Sequence, residues 1–415
     1  MFGKASLIIV IGFSTIFFTM NSNYLRYTTS ATEGYTGYYS DMNAANIASS
    51  GANMACNNIY LNPSWNAGFN NISFSGGTLN VTVTNLPKDR VKITSIGVSY
   101  GFTKTVEVII QPTSYSKFGN FYNKMSAAPA TGDTLDGPVH TNDFLYVHGS
   151  PVFLGKTTSK KGIKKLINPS NPVFVGGYQS GINVPLSYDP DYLKNISLTG
   201  GKAFVGVGAK SFVDVDLTFN ADATVTYKER YGINKTTWDA WSAPVTAPLN
   251  ALAPNGVIYV DKGNVTLRGT LSGQATVVTS KRGGNGMGTI NIDNDIVYNN
   301  DPRTNPSSTD MLGLVSEQSV NLTYNAARGD VSIHASIYAQ NEGLTIERYA
   351  DYPTIKNMNI YGGIVANDLY PTAVYSGLNP TKGYRFIHKY DKRFLSASPP
   401  KFPTTGTYEV ISWLE

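Results

Sequence analysis

The chain has 415 residues, enough for roughly two to three domains of about 100–200 residues each. Lys+Arg 33 against Asp+Glu 28 leaves a net charge of +5 that reads as dispersed, and charged residues make up only 15%, well under the roughly 25% of ordinary soluble domains; a nucleic-acid binder, which needs clustered cations to displace counterions from phosphates, is disfavoured. Gly 40, Tyr 27 and Phe 18, with abundant Val, Ile, Thr and Asn, describe a β-rich chain with many tight turns and exclude a helical protein over most of its length.

The chain opens Met1-Phe2-Gly3-Lys4 and continues from Ala5 to Met20 with no charge, through Ala5, Leu7, Ile8, Ile9, Val10, Ile11, Phe13, Ile16, Phe17 and Phe18. As a helix this stretch spans about 24 Å, slightly short of a hydrocarbon core of about 30 Å. Three readings compete. A cleaved secretory signal lacks a small-residue site after Met20; a plain membrane anchor needs Asn21 to Tyr24 to dip into the interface; a pilin-type segment has a very short leader ending at Gly3, with processing between Gly3 and Lys4. The downstream residues favour the third, because Ala44, Ile47, Ala48, Gly51, Met54, Ala55 and Ile59 recur at helical spacing as a stripe of small residues. Between them, Thr28 to Tyr39 is poor helix material, with Gly34 and Gly37, so an interruption is expected there.

Gly3 at the cleavage point, the ASLIIV start and the AANIASSGANMA run together resemble the PilX-type minor pilins and related pseudopilins of bacterial pilus assembly and type II secretion. The resemblance implies a long N-terminal helix laid on a small sheet, anchored in the inner membrane before assembly with other pilin-like subunits. Ile8, fifth from Lys4, departs from the pattern: major pilins carry there a glutamate that pairs with a neighbouring subunit. A buried carboxylate in a membrane is costly unless paired, so its absence removes a subunit-docking device and favours a minor, tip or initiating role.

Residues 72–112 alternate strongly, with turns at Gly76-Gly77, Asn85-Leu86-Pro87-Lys88-Asp89 and Gly101, predicting a meander of three or four antiparallel strands. Ser114 to Met125 reads as a short helical linker. Beyond Asp133 an internal repeat emerges: VTLRGTLSGQ from Val265, INIDNDIVYN from Ile290, VSIHASIYAQ from Val331 and MNIYGGIVAN from Met358, with LYVHGSPVFL from Leu145 a weaker copy. Positions one, three and seven are apolar, five is mostly small, and ten is always an amide: Gln274, Asn299, Gln340 and Asn367. Alternation followed by a small corner residue predicts stacked coils of a parallel β-helix, the amides forming a ladder along its axis; a β-sandwich with similar strands is the alternative. The expected fold is thus mainly β with one long N-terminal α-helix: a pilin-like helix over 1–62, a small antiparallel sheet over 63–112, a linker over 113–132, and a right-handed parallel β-helix over 133–415.

Candidate chemistry is thin. Cys56 is the single cysteine and the histidines, His140, His148, His334 and His388, are scattered, which leaves little for a disulfide or a zinc site, and no cofactor is expected. Because β-helices serve polysaccharide lyases and hydrolases, Asp293 and Asp295 are candidates together with Asp301 and Arg303. Arg268, His334 and Tyr361 occupy the position of Asp293 in the other copies, so this reads as a mixed, solvated column rather than a facing acid pair. His140 with Asp136 and Asp143 reads as a hydrogen-bonded turn rather than an ion site. The Gly-rich segments GVGAK and GGNGMG lack the frame that phosphate binding demands and read as turns; the sequons at Asn80 and Asn264 are chance matches in a bacterial host.

The phrases DGPVHTND (from Asp136), DPRTNP (from Asp301) and FPTTGTYEVISW (from Phe402) are similar to those of an uncharacterised bacterial envelope family that couples a PilX-type N terminus to a β-rich ectodomain. That likeness implies a location in the cell envelope, with the ectodomain periplasmic or extracellular, and supplies no catalytic residue. The leading expectation is a non-enzymatic structural or assembly component of a type IV pilus-like or type II secretion-like system. The alternative is a surface adhesin that stacks glycans on exposed tyrosines; a carbohydrate-active enzyme ranks third.

Overall fold

The computed structural model describes residues 2–87, 89–284, 286–377 and 379–415; Lys88 of the expected turn and Asn285 of GGNGMG lie outside the described residues. The chain divides into two compact units, one running to Thr113 and including Gly406–Glu415, the other Ser114–Thr405.

In the first unit, α1 (Phe2–Leu61) is a single helix of 60 residues, about 90 Å long. The expected interruption at Thr28–Tyr39 does not occur. Gly34 and Gly37 cost about 1 kcal/mol each, and extending a helix from a half that is already docked needs no new nucleus. The hydroxyls of Thr28 and Thr32 donate to the carbonyls of Tyr24 and Thr28 at 2.9 and 2.8 Å, so these polar groups are satisfied within the helix.

The second half of α1 docks through Ala44, Ile47, Ala48, Gly51, Ala52, Ala55 and Ile59, all buried; Met54, placed on this stripe by its spacing, is exposed instead. The partner is an antiparallel sheet of β1 (Phe69–Phe74), β2 (Gly77–Leu86), β3 (Arg90–Ser99) and β4 (Phe102–Ser114). The last strand of the chain, Thr404–Leu414, adds to β4 as the fifth member. The β-helix read over 133–415 therefore stops short of the C terminus, and FPTTGTYEVISW completes the small sheet. Along β3 burial alternates perfectly, every second residue from Val91 to Ser99 facing α1.

Contact is close enough that glycine is required on the sheet side. A Cβ on Gly97 would collide with the Ala44 carbonyl and the Ala48 amide nitrogen, and one on Gly51 would meet Leu79 and the Ser95 hydroxyl. Small residues on both partners let the helix backbone rest on the sheet, over a core of Leu79, Val81, Ile93, Val106, Val108 and Ile110.

The second unit is built mainly from three parallel ladders, beside which Leu145–Val147 pairs with Ile163–Lys165 and Val152–Phe153 with Thr134–Leu135 and Val173–Phe174, while Thr224–Gly232 and Ala373–Ser376 add antiparallel hairpin strands. The first contains Lys202–Phe204, Val257–Val260, Gln274–Thr279, Met311–Ser316, 336–339, 364–368, Asn120–Lys124, Val139–Thr141, Thr157–Ser159 and Tyr178–Ser180, in that spatial order. A second joins Phe212–Phe219, 263–267, 290–292, Val320–Leu322 and Leu344–Ile346. The third joins 269–271, 296–298, 331–335, 358–361 and 386–389. From Val257 to Asp368 the chain visits the ladders in rotation, so each circuit lays one strand on each. Val265, Leu267, Leu271, Ile290, Ile292, Ile296, Val331, Ile333, Ile337, Met358, Ile360 and Ile364 all point into the enclosed core.

Two expectations are corrected. Ser114–Met125 is no helical linker: one 3-10 turn, Tyr115–Lys117, leads into strand Asn120–Lys124, because Phe121 and Tyr122 are both buried, facing opposite sides of the first ladder. The four ten-residue copies also do not share one register. Val265 pairs with Ile290, and Val331 with Met358, but Ile296 pairs with Ile333 while Ile290 pairs with Val320. The longer interval between the second and third copies holds an additional strand, Val320–Leu322, which shifts the later copies by one ladder.

The central strands of the first ladder are buried on both sides, which explains unbroken apolar runs such as Val257–Val260 and Met311–Ser316. Its outer side is covered by Tyr115, Leu193 and Phe402, with Val184, Leu186 and Ile196. The covering segment, 181–201 with α2 (Pro190–Leu198), carries the chain from Tyr178–Ser180 at one end of the ladder to Lys202–Phe204 at the other.

Gly97→Val is expected to cost the first unit about 2–3 kcal/mol through overpacking against α1. Hydrogen-exchange protection over residues 40–110 should drop accordingly, whereas Ser95→Ala, which removes a buried hydroxyl with no hydrogen-bond partner, should cost little.

Candidate functional site

The most distinctive surface is the first half of α1. Leu7, Ile8, Ile9, Val10, Ile11, Phe13, Ile16, Phe17 and Phe18 are 54–75% exposed, and Gly3, Lys4 and Ala5 are exposed as well. Because the helix is continuous, the uncharged run extends from Ala5 to Leu25, about 31 Å against a hydrocarbon core of about 30 Å. Thr15 and Thr19 donate to the carbonyls of Ile11 and Thr15 at 2.9 and 3.0 Å, so these two hydroxyls are satisfied within the helix. Chemically this is a helix long and apolar enough to cross a membrane. The exposed tyrosines concentrate on it too: Tyr24, Tyr27, Tyr35, Tyr38, Tyr39 and Tyr60.

The titratable residues singled out in the sequence are held apart by the coils. Asp293 pairs with Arg268 at 2.7 Å, and Arg268 with Asp216 at 2.5 Å, along the outer side of the second ladder. Asp295 instead accepts from the Ser332 amide at 2.8 Å. His334 and Tyr361 stand elsewhere, ring to ring at 5.6 Å, so they form no column with Asp293; the register shift puts them on the third ladder. Arg303 grips Asp301 with Nε at 2.9 Å and Nη2 at 2.5 Å, and this hydrogen bonding holds the Asp301 carboxyl down to about 2. Arg303 Nη2 also lies 3.0 Å from His334 Nε2, while His334 Nδ1 accepts from the Tyr298 amide at 3.2 Å.

His140 is buried between the Thr158 hydroxyl (2.7 Å) and the Asn142 side chain (3.0 Å), with burial lowering its pKa. Asp136 turns away to the Tyr390 amide, and Asp143 to Lys161 at 2.8 Å. Such pairings tie one coil to the next. Among the described residues, no three His, Cys, Asp or Glu side chains converge where a metal could sit.

The amides are only partly brought together. Gln274 reaches the Thr309 carbonyl at 2.9 Å, the Asn299 backbone amide bonds to Leu271, and the Gln340 amide bonds to Ser316. Asn367 accepts from Asn123 at 3.0 Å, and Asn123 in turn accepts from Asn142 at 3.1 Å. Asn123 and Asn142 fall outside the repeat, and only the pairing of 364–368 with Asn120–Lys124 aligns them.

Sequence reasoning missed a basic cluster. Lys156, Lys160, Lys161, Lys164 and Lys165 are all exposed on the coil 156–180, which ends the first ladder. Residues 144–188 contain no Asp, Glu or Arg, so these five lysines equal the net charge of +5, the other 28 basic residues matching 28 acidic ones. The charge is gathered, not dispersed; the acid-free window was the signal.

Burial pushes His334 down to about 4, aided by the Arg303 guanidinium, and burial pushes His388 down to about 4, against an ordinary value near 6.5. Between about pH 6.5 and 4 the unfolded chain binds protons that these folded histidines refuse, so stability present above that window is lost as pH falls through it. The melting temperature of the second unit should drop between pH 7 and pH 4.5, on the order of 2–3 kcal/mol per histidine at the acid end. His334→Gln should flatten that dependence, and an unchanged slope would contradict it.

Compared with known protein families and with curated proteins, the chain matches none. Among solved structures it is similar to the crystal structure of the competence-associated pilin ComZ from Thermus thermophilus, with 10% sequence identity, a TM-score of 0.35, and coverage of 85% of this chain and 86% of that one.

Proposed function

We propose that the protein is a non-enzymatic, membrane-anchored structural or assembly component of a bacterial pilus-like or secretion-like surface system, with its ectodomain periplasmic or extracellular. One observation carries this reading: a single helix whose first half is bare and apolar and whose second half is cemented onto an antiparallel sheet. A helix built only to anchor has no need to continue, unbroken, into the core of a folded unit. Such a continuous stem lets one apolar half exchange lipid for the stems of neighbouring subunits without disturbing the head.

In this reading Gly3–Lys4 is the processing point, and Ala5 to Leu25 is the membrane segment. Ile8 leaves the stem without a carboxylate to pair with a neighbour, which suits a minor or initiating subunit more than the bulk of a filament. The second unit is a right-handed parallel β-helix carried on the stem, held together by parallel pairing and by amide and ion-pair contacts between coils.

A glycan-binding role has less behind it. The exposed tyrosines lie mostly on α1, and the Trp238 and Trp241 rings are covered by the Arg230 guanidinium at 5.0 and 4.4 Å, so those faces are not open to a sugar.

Mass spectrometry of the native protein should find Lys4 as its first residue, and the protein should appear in sheared surface filaments at substoichiometric amounts. An intact Met1 combined with absence from sheared material would leave only a plain anchor. Ile8→Glu should raise its incorporation if the missing carboxylate is what limits it.

A further inference from the structure

The lysine-rich coil 156–180 is more than a blunted sheet edge. A single lysine suffices to discourage edge-to-edge pairing of a short strand, and here five surround a coil that carries no acid. One is partly neutralised, Lys161 by Asp143 at 2.8 Å. Lys164 lies over the rings of Tyr146 and Phe144 at 5.5 and 5.9 Å. The same coil leaves aliphatic side chains in water: Leu166 and Ile167 directly after the lysines, Val173 on the following strand and Val175 just past it, with Val175 66% exposed. Within one short coil they stand beside lysines that no acid of that coil offsets, a mixed apolar and cationic surface.

We propose that this terminal coil is a docking surface for an anionic lipid bilayer, with the ammonium groups among headgroup phosphates and Leu166, Ile167, Val173 and Val175 entering the interface. The chemistry discriminates between polyanions. Residues 144–188 contain no arginine, so no guanidinium fork is available for bidentate recognition of phosphate or carboxylate. Phe144 and Tyr146 lie under lysines, and Phe174 and Tyr178 pack on each other at 5.0 Å, which leaves bases or sugars little stacking platform. Flexible point charges beside aliphatic side chains match a surface that offers both diffuse negative charge and hydrocarbon.

The test uses the full chain with α1 wrapped in an uncharged amphipathic polymer, so that the outcome does not depend on how the stem is used. Flotation should show binding to phosphatidylglycerol-rich vesicles, little binding to pure phosphatidylcholine, and release by salt. Each Lys→Gln change at Lys160, Lys164 or Lys165 should weaken binding about fivefold. Leu166→Asn with Val175→Asn should weaken it while leaving the salt dependence unchanged. Equal binding to neutral vesicles, or undiminished binding by Lys160→Gln/Lys164→Gln/Lys165→Gln, would overturn the proposal. So would equally tight binding of double-stranded DNA or an acidic polysaccharide that ignores Leu166→Asn and Val175→Asn.

Discussion

Parallel backbone pairing between successive coils is the interaction on which the larger unit rests. Apart from the hairpins at Phe212–Gly232 and Ala373–Lys389, the strands of a coil find their amide and carbonyl partners on the coils above and below. That constraint explains why strands of only two or three residues persist, such as Val152–Phe153 and Thr157–Ser159. It also explains why polar side chains appear where they do, since a side chain in a stack has its counterpart in the next coil about 4.8 Å away. Asn367, Asn123 and Asn142 bond in series, and Asp216, Arg268 and Asp293 alternate in charge, for that same reason.

The smaller unit solves a different problem with different means. Its helix cannot be held by pairing, so it is held by proximity: glycine and alanine on both partners bring backbones together, and dispersion over that contact does the rest. The stripe of small residues in α1 thus has its meaning in β3, where Gly97 receives it. With the helix seated so firmly from Ala44 onward, the segment before it can stand free as a rigid rod. By length and composition that rod is long and apolar enough to cross a membrane.

Much of this could be read from the chain alone. The apolar opening, the small-residue stripe and the alternating meander are local patterns with a period of their own, and they appear in the structure as α1 and β1–β4. The repeat was visible as well, because a coil core demands branched apolar residues at fixed spacing. What escaped was everything that depends on distant pairing. The C-terminal strand alternates like any other, and nothing local says that its partner is β4. Val320–Leu322 is too short to register as a coil member, yet it displaces the later copies by one ladder and separates His334 from Asp293. Thr28–Tyr39 misled in the opposite sense: weak propensity was overridden by a helix already nucleated further along. The lysines of 156–165 were in plain view, but an average over the whole length diluted them.

The order of the first ladder has a consequence for biogenesis. Asn120–Lys124 is the earliest of its strands to be synthesised, yet its neighbour on one side is 364–368, more than two hundred residues later. Until that distant segment arrives, the early coils present an open template with nothing of their own to close it, a hazard that grows with the time spent waiting. A vectorial route, in which the N terminus leaves the ribosome or translocon first, therefore builds this ladder as two stretches, 120–180 and 202–368, whose junction waits for the last strand. Closure of the first ladder is therefore a late step, reached only after the early coils have already paired with one another.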